Sequence, residues 1–388
     1  MNILHTVEFY PPSVGGAQEV VKQISEQLVK RGHHVTVATG KLPERHATVI
    51  NGVRIEEFDI SGNIITGIKG EASRYQDFLI DSKFDIMMNY AAQEWAMDLA
   101  LPILDQISYP KIMIPCGFSR LFDPYYSEYY AKMPVYMGKY NRLVFHAQDY
   151  RDINFARTHA LNNITIIPNG ASQEEFSSID GTFRSRYDIP ANLPLLLTVC
   201  NHTTLKGHRL CIDAFRRARI GPSVLMIIGG MKRGGGCLAD CHRRSSWVKF
   251  TSLGQKRVRL LDPPRQDVVA AFHAADIFIF CSLLEYSPLV LYEALASKTP
   301  FLSSDCGNAD EIVQWTGGGI VIPSTPSPDG LVRIQTEFMA HEIETLIQDA
   351  PRRNLIAEAG HNAWTKRFTW EMIAAQYESL YQSEADKG

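Results

Sequence analysis

The sequence has 388 residues, of which 45% are hydrophobic and 21% charged, which is typical of a globular protein with two domains. Its formal net charge of -3 gives no basis for nucleic acid as a partner. Because there is neither a long apolar run nor a signal-peptide pattern after Met1, we expect a cytoplasmic protein. If it meets a membrane, it does so from the surface, on the membrane's inner face.

Strand-like and helix-like segments alternate through the first half of the chain, which is the pattern of a parallel α/β fold. Short apolar runs predict strands at Ile3–Val7, His34–Ala38, Phe84–Met88, Lys111–Ile114 and Arg142–Phe145. After the first of them, Gly15 and Gly16 precede a helical pattern over 17–31. Glycines there let a ligand approach the backbone, and the helix start suits an anion; the alternative is a plain turn.

A second cycle of the same kind follows a polar segment over 180–194 that is typical of a linker. It predicts a helix over 208–218 and strands at Leu195–Val199, Val224–Ile228, Ile277–Cys281, Pro300–Ser303 and Gly319–Ile322. We therefore predict two doubly wound domains, over 1–180 and 181–365. In such domains ligands bind at the carboxyl ends of the strands.

The most informative segment runs from Glu285 to Glu293. Ser287 is a good N-cap and Pro288 a good first helical residue, so a helix is predicted to begin there. Over 289–296 this helix is almost wholly apolar apart from Glu293, which is therefore a buried carboxylate in need of hydrogen-bond donors. The helix start between the two glutamates suits a phosphate, and the carboxylates suit sugar hydroxyls, so together they predict a sugar-nucleotide site.

Lys206 lies in the loop that follows the strand at 195–199. Such a loop is where an open α/β sheet binds ligands, and a lysine there supplies a point charge for a diphosphate. Taken alone, Lys206 is equally well explained as a solvated lysine in a loop. Glu285 and Glu293 in the same domain favour the functional interpretation.

Glycines recur from Gly229 to Gly236 after another strand. Their spacing differs from the dinucleotide fingerprint, so NAD is not predicted. Lys232 and Arg233, within this stretch, are candidate phosphate contacts.

Cys237, Cys241 and His242 have part of a zinc-binding pattern. The sequence offers no second pair of Cys or His at suitable spacing, and the odd number of cysteines, seven in all, suits reduced thiols. An Asp-x-Asp pair, which commonly holds a metal on a nucleotide diphosphate, is also missing from the sequence. We therefore predict no metal and no cofactor.

Tyrosines cluster in one stretch of the first domain. Helical packing explains most of them, and an acceptor platform or a membrane-interface patch is the alternative. They are Tyr125, Tyr126, Tyr129, Tyr130, Tyr136 and Tyr140.

Together these segments resemble the family 4 retaining glycosyltransferases with the GT-B fold, in which two doubly wound, Rossmann-like domains face a central cleft. The resemblance covers nearly the whole chain, and its most specific element is Glu285-x7-Glu293. Supporting elements stand at Gly15-Gly16, 166–170 with Phe176, Lys206-Gly207, Ala275-Asp276, 305–311 and 368–370.

The resemblance implies retaining transfer of a sugar from a nucleotide-diphosphate sugar to a glycan, lipid-linked or small-molecule acceptor. Glu285 would contact the donor sugar and Glu293 the nucleotide ribose. Lys206 would bind the diphosphate together with the N–H groups after Ser287, those of Leu289 and Val290. The departing phosphate is argued to help deprotonate the acceptor, so no dedicated nucleophile is implied. The last helix, within 366–388, would return to the first domain.

One departure from the family concerns the diphosphate site. Asn201 stands where the family usually has an arginine, and Arg233 or Lys232 is the candidate substitute. Together with Cys116, Asn201 leaves open the alternative that the protein is a non-catalytic GT-B module that binds a sugar nucleotide or a partner. A GT-B epimerase or phosphorylase is a further alternative.

A second departure concerns the donor sugar. Cys116, followed by Gly117, stands where the family usually has a histidine near the 6-hydroxyl, and His146 is a weak stand-in. A thiol is a poor hydrogen-bond donor. The change therefore predicts a donor without a 6-hydroxyl, or a site indifferent to it.

Overall fold

The computed structural model of the protein describes residues 1–230 and 236–387. The chain forms two compact units, of which the first is Met1–Asn169 with Trp370–Gly388 and the second is Gly170–Thr369. The predicted domains were 1–180, 181–365 and a returning segment over 366–388. Among the described residues, no helix combines the length and the apolar character needed to cross a bilayer.

The first unit is built on an eight-stranded sheet with the order β10-β9-β8-β7-β1-β2-β4-β3. Its pairings are parallel apart from that of β3 with β4, and the apolar runs of its central strands are buried, as parallel sheets require. A separate small sheet pairs β5 with β6. The strands are β1 (Asn2–Thr6), β2 (His34–Gly40), β3 (Val49–Ile50), β4 (Val53–Phe58), β5 (Ile60–Ser61), β6 (Lys69–Gly70), β7 (Ile86–Tyr90), β8 (Lys111–Ile114), β9 (Arg142–Phe145) and β10 (Ile164–Ile166).

Helices and short 3-10 turns connect these strands. They are α1 (Gly16–Lys30), α2 (Ala72–Asp81), α3 (Trp95–Asp98), α4 (Ser127–Met137) and α5 (Arg151–Thr158), with 3-10 turns at Leu101–Ile103 and Pro124–Tyr126. Most of the clustered tyrosines pack into this unit's core, as predicted: Tyr126, Tyr129, Tyr130 and Tyr140 are buried, Tyr136 is half-buried, and Tyr125 is exposed.

The second unit is built on a six-stranded parallel sheet with the order β13-β12-β11-β14-β15-β16. This is the strand order of a Rossmann-type doubly wound sheet, whose direction of winding reverses between β11 and β14. The strands are β11 (Leu195–Val199), β12 (Ser223–Ile228), β13 (Lys256–Leu261), β14 (Ile277–Phe280), β15 (Phe301–Ser304) and β16 (Gly319–Ile322), and a small antiparallel pair adds β17 (Ser324–Pro326) and β18 (Val332–Ile334).

Helices connect these strands and cover the sheet. They are α6 (Gln173–Phe176), α7 (Phe183–Arg186), α8 (His208–Arg217), α9 (Leu238–Thr251), α10 (Arg265–Ala274), α11 (Leu289–Ala296), α12 (Ala309–Thr316), α13 (Thr336–Gln348) and α14 (Ala350–Arg367), with a 3-10 turn at Thr204–Lys206. Some helix starts follow simple capping chemistry. Ser172 Oγ, for example, accepts from the N–H of Glu175 at 3.2 Å.

The last helix, α15 (Trp370–Ala385), belongs to the first unit. Its Tyr381 hydroxyl lies 3.1 Å from His5 Nε2, and its Glu384 accepts from Arg142 Nε at 2.7 Å. The carboxyl-terminal segment is therefore part of the same packing unit as residues from β1 and β9.

Residues 180–194 are not a linker, and that prediction was wrong. They contain α7, and Phe183 is fully buried in the core of the second unit. Arg184 fixes the segment by donating to the Ala274 carbonyl at 2.9 Å and to Asp276 at 3.0 Å. The segment is therefore anchored in the second unit by Phe183 and Arg184, although many of its other residues are exposed.

Candidate functional site

Two loops meet at the carboxyl edge of the second unit's sheet. One follows β11 and carries Lys206; the other follows β14 and carries Glu285. Although β11 and β14 are far apart in sequence, they are paired neighbours in the sheet. The loops therefore leave the sheet at its switch point, where open α/β sheets bind ligands.

Gly207 makes the close approach of these two loops achievable. Its φ is +64°, and a Cβ there would lie 1.8 Å from the Cys281 carbonyl oxygen. The Leu283 N–H donates to the Leu205 carbonyl at 2.7 Å, which ties the loops together. Any side chain at residue 207 would both strain the backbone and force the loops apart.

Lys206 and Glu285 form an ion pair at this meeting point. Lys206 Nζ lies 2.5 Å from Glu285 Oε1, and the same oxygen accepts from Ser282 Oγ at 2.7 Å. Partial burial opposes the charge on Lys206, but the adjacent Glu285 carboxylate outweighs it, so the Lys206 pKa is raised above its ordinary value. The ammonium group is therefore held in its charged form at the strand edge.

The start of α11 lies next to Glu285, one residue later than predicted. Pro288, not Ser287, is the N-cap residue, with extended backbone, and Leu289 begins the helix. Ser287 is buried just before it. The Leu291 N–H already bonds to the Pro288 carbonyl at 3.2 Å, so the N–H groups of Leu289 and Val290 are the ones placed to receive an anion.

Glu293 is buried in α11, as predicted, and pairs with Arg265, which the sequence reasoning missed. Arg265 Nη2 donates to Glu293 Oε1 at 2.6 Å and to Glu175 Oε2 at 2.8 Å. Partial burial opposes the guanidinium charge, but Glu293 and Glu175 outweigh it and raise the Arg265 pKa. A buried carboxylate signals that a donor is needed, but no local spacing identifies Arg265 as that donor.

Asn201 is exposed in the loop after β11. Its Oδ1 would lie 3.4 Å from a Cβ built on Gly230, the second residue of the glycine-rich stretch. Lys232 and Arg233, the candidate phosphate contacts, lie outside the described residues. Asn201 therefore lies beside the glycine-rich stretch but, being neutral, brings no positive charge for a diphosphate.

In the first unit, Gly15 and Gly16 lie where the sequence predicted. Gly15 is the N-cap residue of α1, and Gly16 is that helix's first, exposed residue. The Glu19 N–H bonds to the Gly15 carbonyl at 3.0 Å. Because α1 follows β1, which neighbours β7 in the sheet, this helix starts beside the first unit's own switch point.

Cys116 and His146 both approach Tyr90. The Cys116 thiol lies 3.8 Å from the Tyr90 hydroxyl, and His146 Nε2 lies 3.4 Å from the same oxygen. Burial raises the Cys116 pKa to about 12 and lowers the His146 pKa to about 4, so both are neutral at pH 7. Gly117, at φ +90°, donates its N–H to Asp152 at 2.8 Å.

A group of half-buried and buried acids at the ends of β1 and β7 was also missed by the sequence reasoning. Burial, reinforced by the Asp98 charge, raises the Glu8 pKa to about 7. Burial and then the Glu8 charge raise the Glu94 pKa to about 8, and burial raises that of Asp98 to about 6. Carboxyl groups that titrate near neutral pH are suited to proton transfer.

We expect these acids to make stability fall as pH rises. Between the ordinary pKa of 4.5 and about 8, folded Glu94 keeps a proton that the unfolded chain has released, so unfolding is favoured with increasing pH. Glu94→Gln should raise the melting temperature at pH 8.5 and leave it nearly unchanged at pH 4.5. The gain in unfolding free energy at pH 8.5 should be on the order of 5 kcal/mol, since each unit of pKa shift corresponds to about 1.4 kcal/mol. A shift of the same size at both pH values, or one shared by the exposed Glu358→Gln, would contradict this.

Comparisons with known proteins fit this geometry. A family model described as glycosyl transferases group 1 matches residues 180–363, which is most of the second unit. The D-inositol 3-phosphate glycosyltransferase of Corynebacterium aurimucosum is 27% identical over 250 residues, covering 61% of this chain and 55% of that protein. The chain therefore matches only about half the length of that relative.

Two further proteins are similar over nearly their whole length. The phosphatidyl-myo-inositol mannosyltransferase of Mycobacterium tuberculosis is 23% identical over 405 residues, covering 96% of this chain and 94% of that protein. HepE of Anabaena, solved in complex with UDP, is 16% identical with a TM-score of 0.77, covering 99% of this chain and 100% of that one. Residues 180–363 are thus similar to the group 1 glycosyl transferases, and the chain as a whole has the GT-B fold.

Proposed function

We propose that this protein is a retaining glycosyltransferase that moves a sugar from a nucleotide-diphosphate sugar to a hydroxyl group of its acceptor. The observation that carries the proposal is the arrangement at the edge of the second unit's sheet. There the Lys206–Glu285 ion pair lies beside the start of α11, and Glu293 lies within the same helix. A cation, free N–H groups and two carboxylates match a diphosphate flanked by hydroxyl groups.

Each group has a distinct role in this proposal. Glu293 accepts from the ribose hydroxyls while Arg265 holds its carboxylate in place, and Glu285 accepts from the donor sugar. Lys206 and the N–H groups of Leu289 and Val290 bind the diphosphate. They also stabilise the negative charge that grows on it as the bond from the sugar's anomeric carbon to the phosphate oxygen breaks.

Retention follows when the acceptor attacks from the face that the phosphate leaves. The acceptor oxygen bonds to the anomeric carbon, the bond to the phosphate oxygen breaks, and the acceptor's proton passes to the departing diphosphate. This route needs no protein nucleophile.

The names of the similar proteins support the substrate class. HepE was solved with UDP and also with UDP-glucose. Two curated relatives are named after transfer to inositol 3-phosphate and to phosphatidylinositol. We therefore propose a nucleoside-diphosphate sugar as donor, and a glycan, lipid-linked or small-molecule acceptor met at the inner membrane surface or in the cytoplasm.

Turnover of a donor panel, followed by mass spectrometry, tests the proposal. We expect one donor to be consumed faster in the presence of acceptor than by hydrolysis alone. NMR of the product should show that the donor's anomeric configuration is retained. Conversion of the nucleotide sugar to its epimer in the absence of acceptor would indicate an epimerase. Phosphate-dependent cleavage of a glycosidic bond would indicate a phosphorylase. Nucleotide binding with no turnover of any donor would indicate a non-catalytic module.

We expect transfer to proceed without added Mg²⁺ or Mn²⁺. Lys206 and the α11 N–H groups already supply positive charge to the diphosphate, and the sequence has no Asp-x-Asp pair to hold a metal there. Adding either ion to dialysed protein should leave the rate unchanged. Activity that chelation abolishes and magnesium or manganese restores would show that the diphosphate needs a metal.

Cys116 leads to a prediction about the sugar. The resemblance places residue 116 near the donor's 6-hydroxyl, and a thiol gains little from a hydroxyl group. We therefore expect a 6-deoxyhexose or pentose donor, or indifference to the 6-hydroxyl, unless His146 or a water supplies the contact. Turnover of a hexose donor and its 6-deoxy analogue should be compared. A preference of about a hundredfold for the 6-hydroxyl would refute the prediction.

A further inference from the structure

A second cluster of reactive side chains lies in the same unit and has no role in the proposed reaction. It consists of His202, His208, Cys237 and Cys241. One nitrogen or sulfur atom of each lies within 4.8 Å of those of the other three. No second pair of metal ligands lies near Cys237 and Cys241 in the sequence, which is why no metal was predicted. The fold brings two histidines, from the segment that follows β11, next to these cysteines.

The backbone positions these four residues from two directions. His202 lies in the loop after β11, and His208 is the first residue of α8. Cys237 immediately precedes α9, and Cys241 lies four residues on, so both thiols face the same side of the helix start. His242, the histidine of the sequence pattern, is exposed and is not part of the cluster.

Gly236 allows the two chain segments to touch. Its φ is +105°, and a Cβ there would lie 2.0 Å from the His202 carbonyl oxygen. No other residue fits at this place without displacing the backbone. The approach that brings Cys237 to the histidines therefore depends on a specific glycine.

The interatomic distances suit a tetrahedral ion. His208 Nδ1 lies 3.1 Å and His202 Nδ1 3.6 Å from Cys237 Sγ. Around zinc, with bonds of about 2.3 Å to sulfur and about 2.0 Å to nitrogen, tetrahedral ligand atoms lie about 3.3–3.8 Å apart. Small side-chain movements bring four ligands to that spacing.

Burial and hydrogen bonding also favour a bound ion over a simple polar cluster. The exposed fractions are 4% for His202, 1% for His208, 9% for Cys237 and 0% for Cys241. Within the part of the chain that the structure describes, His202 Nε2 is buried and lacks a hydrogen-bond partner, so this ring has an unused nitrogen in addition to the Nδ1 that lies near Cys237. His208 Nε2 lies 2.9 Å from Cys200 Sγ, a contact that orients the ring as outer partners of metal-bound histidines do.

We propose that His202, His208, Cys237 and Cys241 bind a structural zinc ion. Two thiolates and two imidazoles are a preferred zinc ligand set, and four protein ligands leave no open position for a substrate. The ion joins the loop that carries Asn201 and Lys206 to the start of α9. It therefore holds the proposed diphosphate loop in place without touching the diphosphate, and the site stands independently of the proposed function.

Metal analysis of the full chain, purified without a histidine tag, is the first test. We expect about one zinc ion per chain that survives dialysis. Cys241→Ser and His202→Ala should lose it, while Cys306→Ala, a buried cysteine of the same unit outside the cluster, should keep it. Absence of zinc from wild-type protein expressed with added zinc would overturn the proposal.

Cobalt substitution distinguishes this site from adventitious binding and does not depend on how the variants fold. Apoprotein titrated with Co²⁺ should reach one equivalent with intense tetrahedral d–d bands and thiolate-to-cobalt charge-transfer bands, and zinc should displace the cobalt. Weak octahedral bands without charge transfer would overturn the proposal. Zinc, but not magnesium, should also raise the melting temperature of the apoprotein.

Discussion

Lys206→Ala is expected to lower turnover by about a hundredfold or more, the usual effect of removing one donor to a charge that develops in the transition state. Lys206→Arg keeps the charge and should lose less. Both variants should act on the diphosphate and not on the base, because Lys206 lies with Glu285 in the loops at the strand edge. Calorimetry with the nucleoside and with the nucleoside diphosphate measures this difference.

The control for Lys206 is Lys298→Ala. Lys298 is also paired with a glutamate of the second unit, Glu358, but both side chains are about half exposed. This control should behave as wild type. If Lys206→Ala weakens the nucleoside and the nucleoside diphosphate equally, the assigned role is wrong.

Glu293→Ala is expected to weaken nucleotide binding by at least tenfold. The ribose hydroxyls lose a buried acceptor, which contributes about 1.5–3 kcal/mol, and about 1.4 kcal/mol corresponds to tenfold in affinity. Titration calorimetry with the nucleoside diphosphate measures the change. Glu358→Ala, which removes an exposed glutamate, is the matched control.

The structure also bears on how Glu293→Ala should affect the stability of the fold. A buried Glu293 without a partner would let the fold gain slightly from its removal, but Arg265 pairs with it at 2.6 Å. We now expect a modest loss of stability, limited because Arg265 keeps Glu175. Nucleotide affinity equal to wild type in a folded Glu293→Ala protein would refute the ribose assignment.

Most strands of both sheets could be predicted because parallel strands are buried on both faces and appear as short apolar runs. The sequence reasoning missed β3 and β10, which are only two and three residues long, and β4 and β13, whose runs are interrupted by charged residues. The predicted strand Ile277–Cys281 differs from the observed β14, Ile277–Phe280, by one residue. The start of α11 was placed one residue early because Ser287 and Pro288 both fit the first positions of a helix. Local chemistry thus locates elements but not their exact ends.

The contacts between loops could not be predicted in the same way. Lys206 and Glu285 meet because β11 pairs with β14, and strand order is not encoded in any local pattern. His202 meets Cys237 across 35 residues for a similar reason, since the loops after neighbouring strands return to one edge. The sequence therefore identified the residue types of the donor site but missed Arg265 and the histidine half of the second cluster.

Calorimetric titration of the intact chain with UDP, GDP and ADP tests the central claim most directly. We predict that one of them binds with 1:1 stoichiometry and a Kd of about 1 µM to 1 mM, the usual range for enzyme substrates. Lys206→Ala should weaken that binding, and Lys298→Ala should not. If no nucleoside diphosphate binds, or if Lys206→Ala binds as wild type does, the second unit is not the sugar-nucleotide site that we assign.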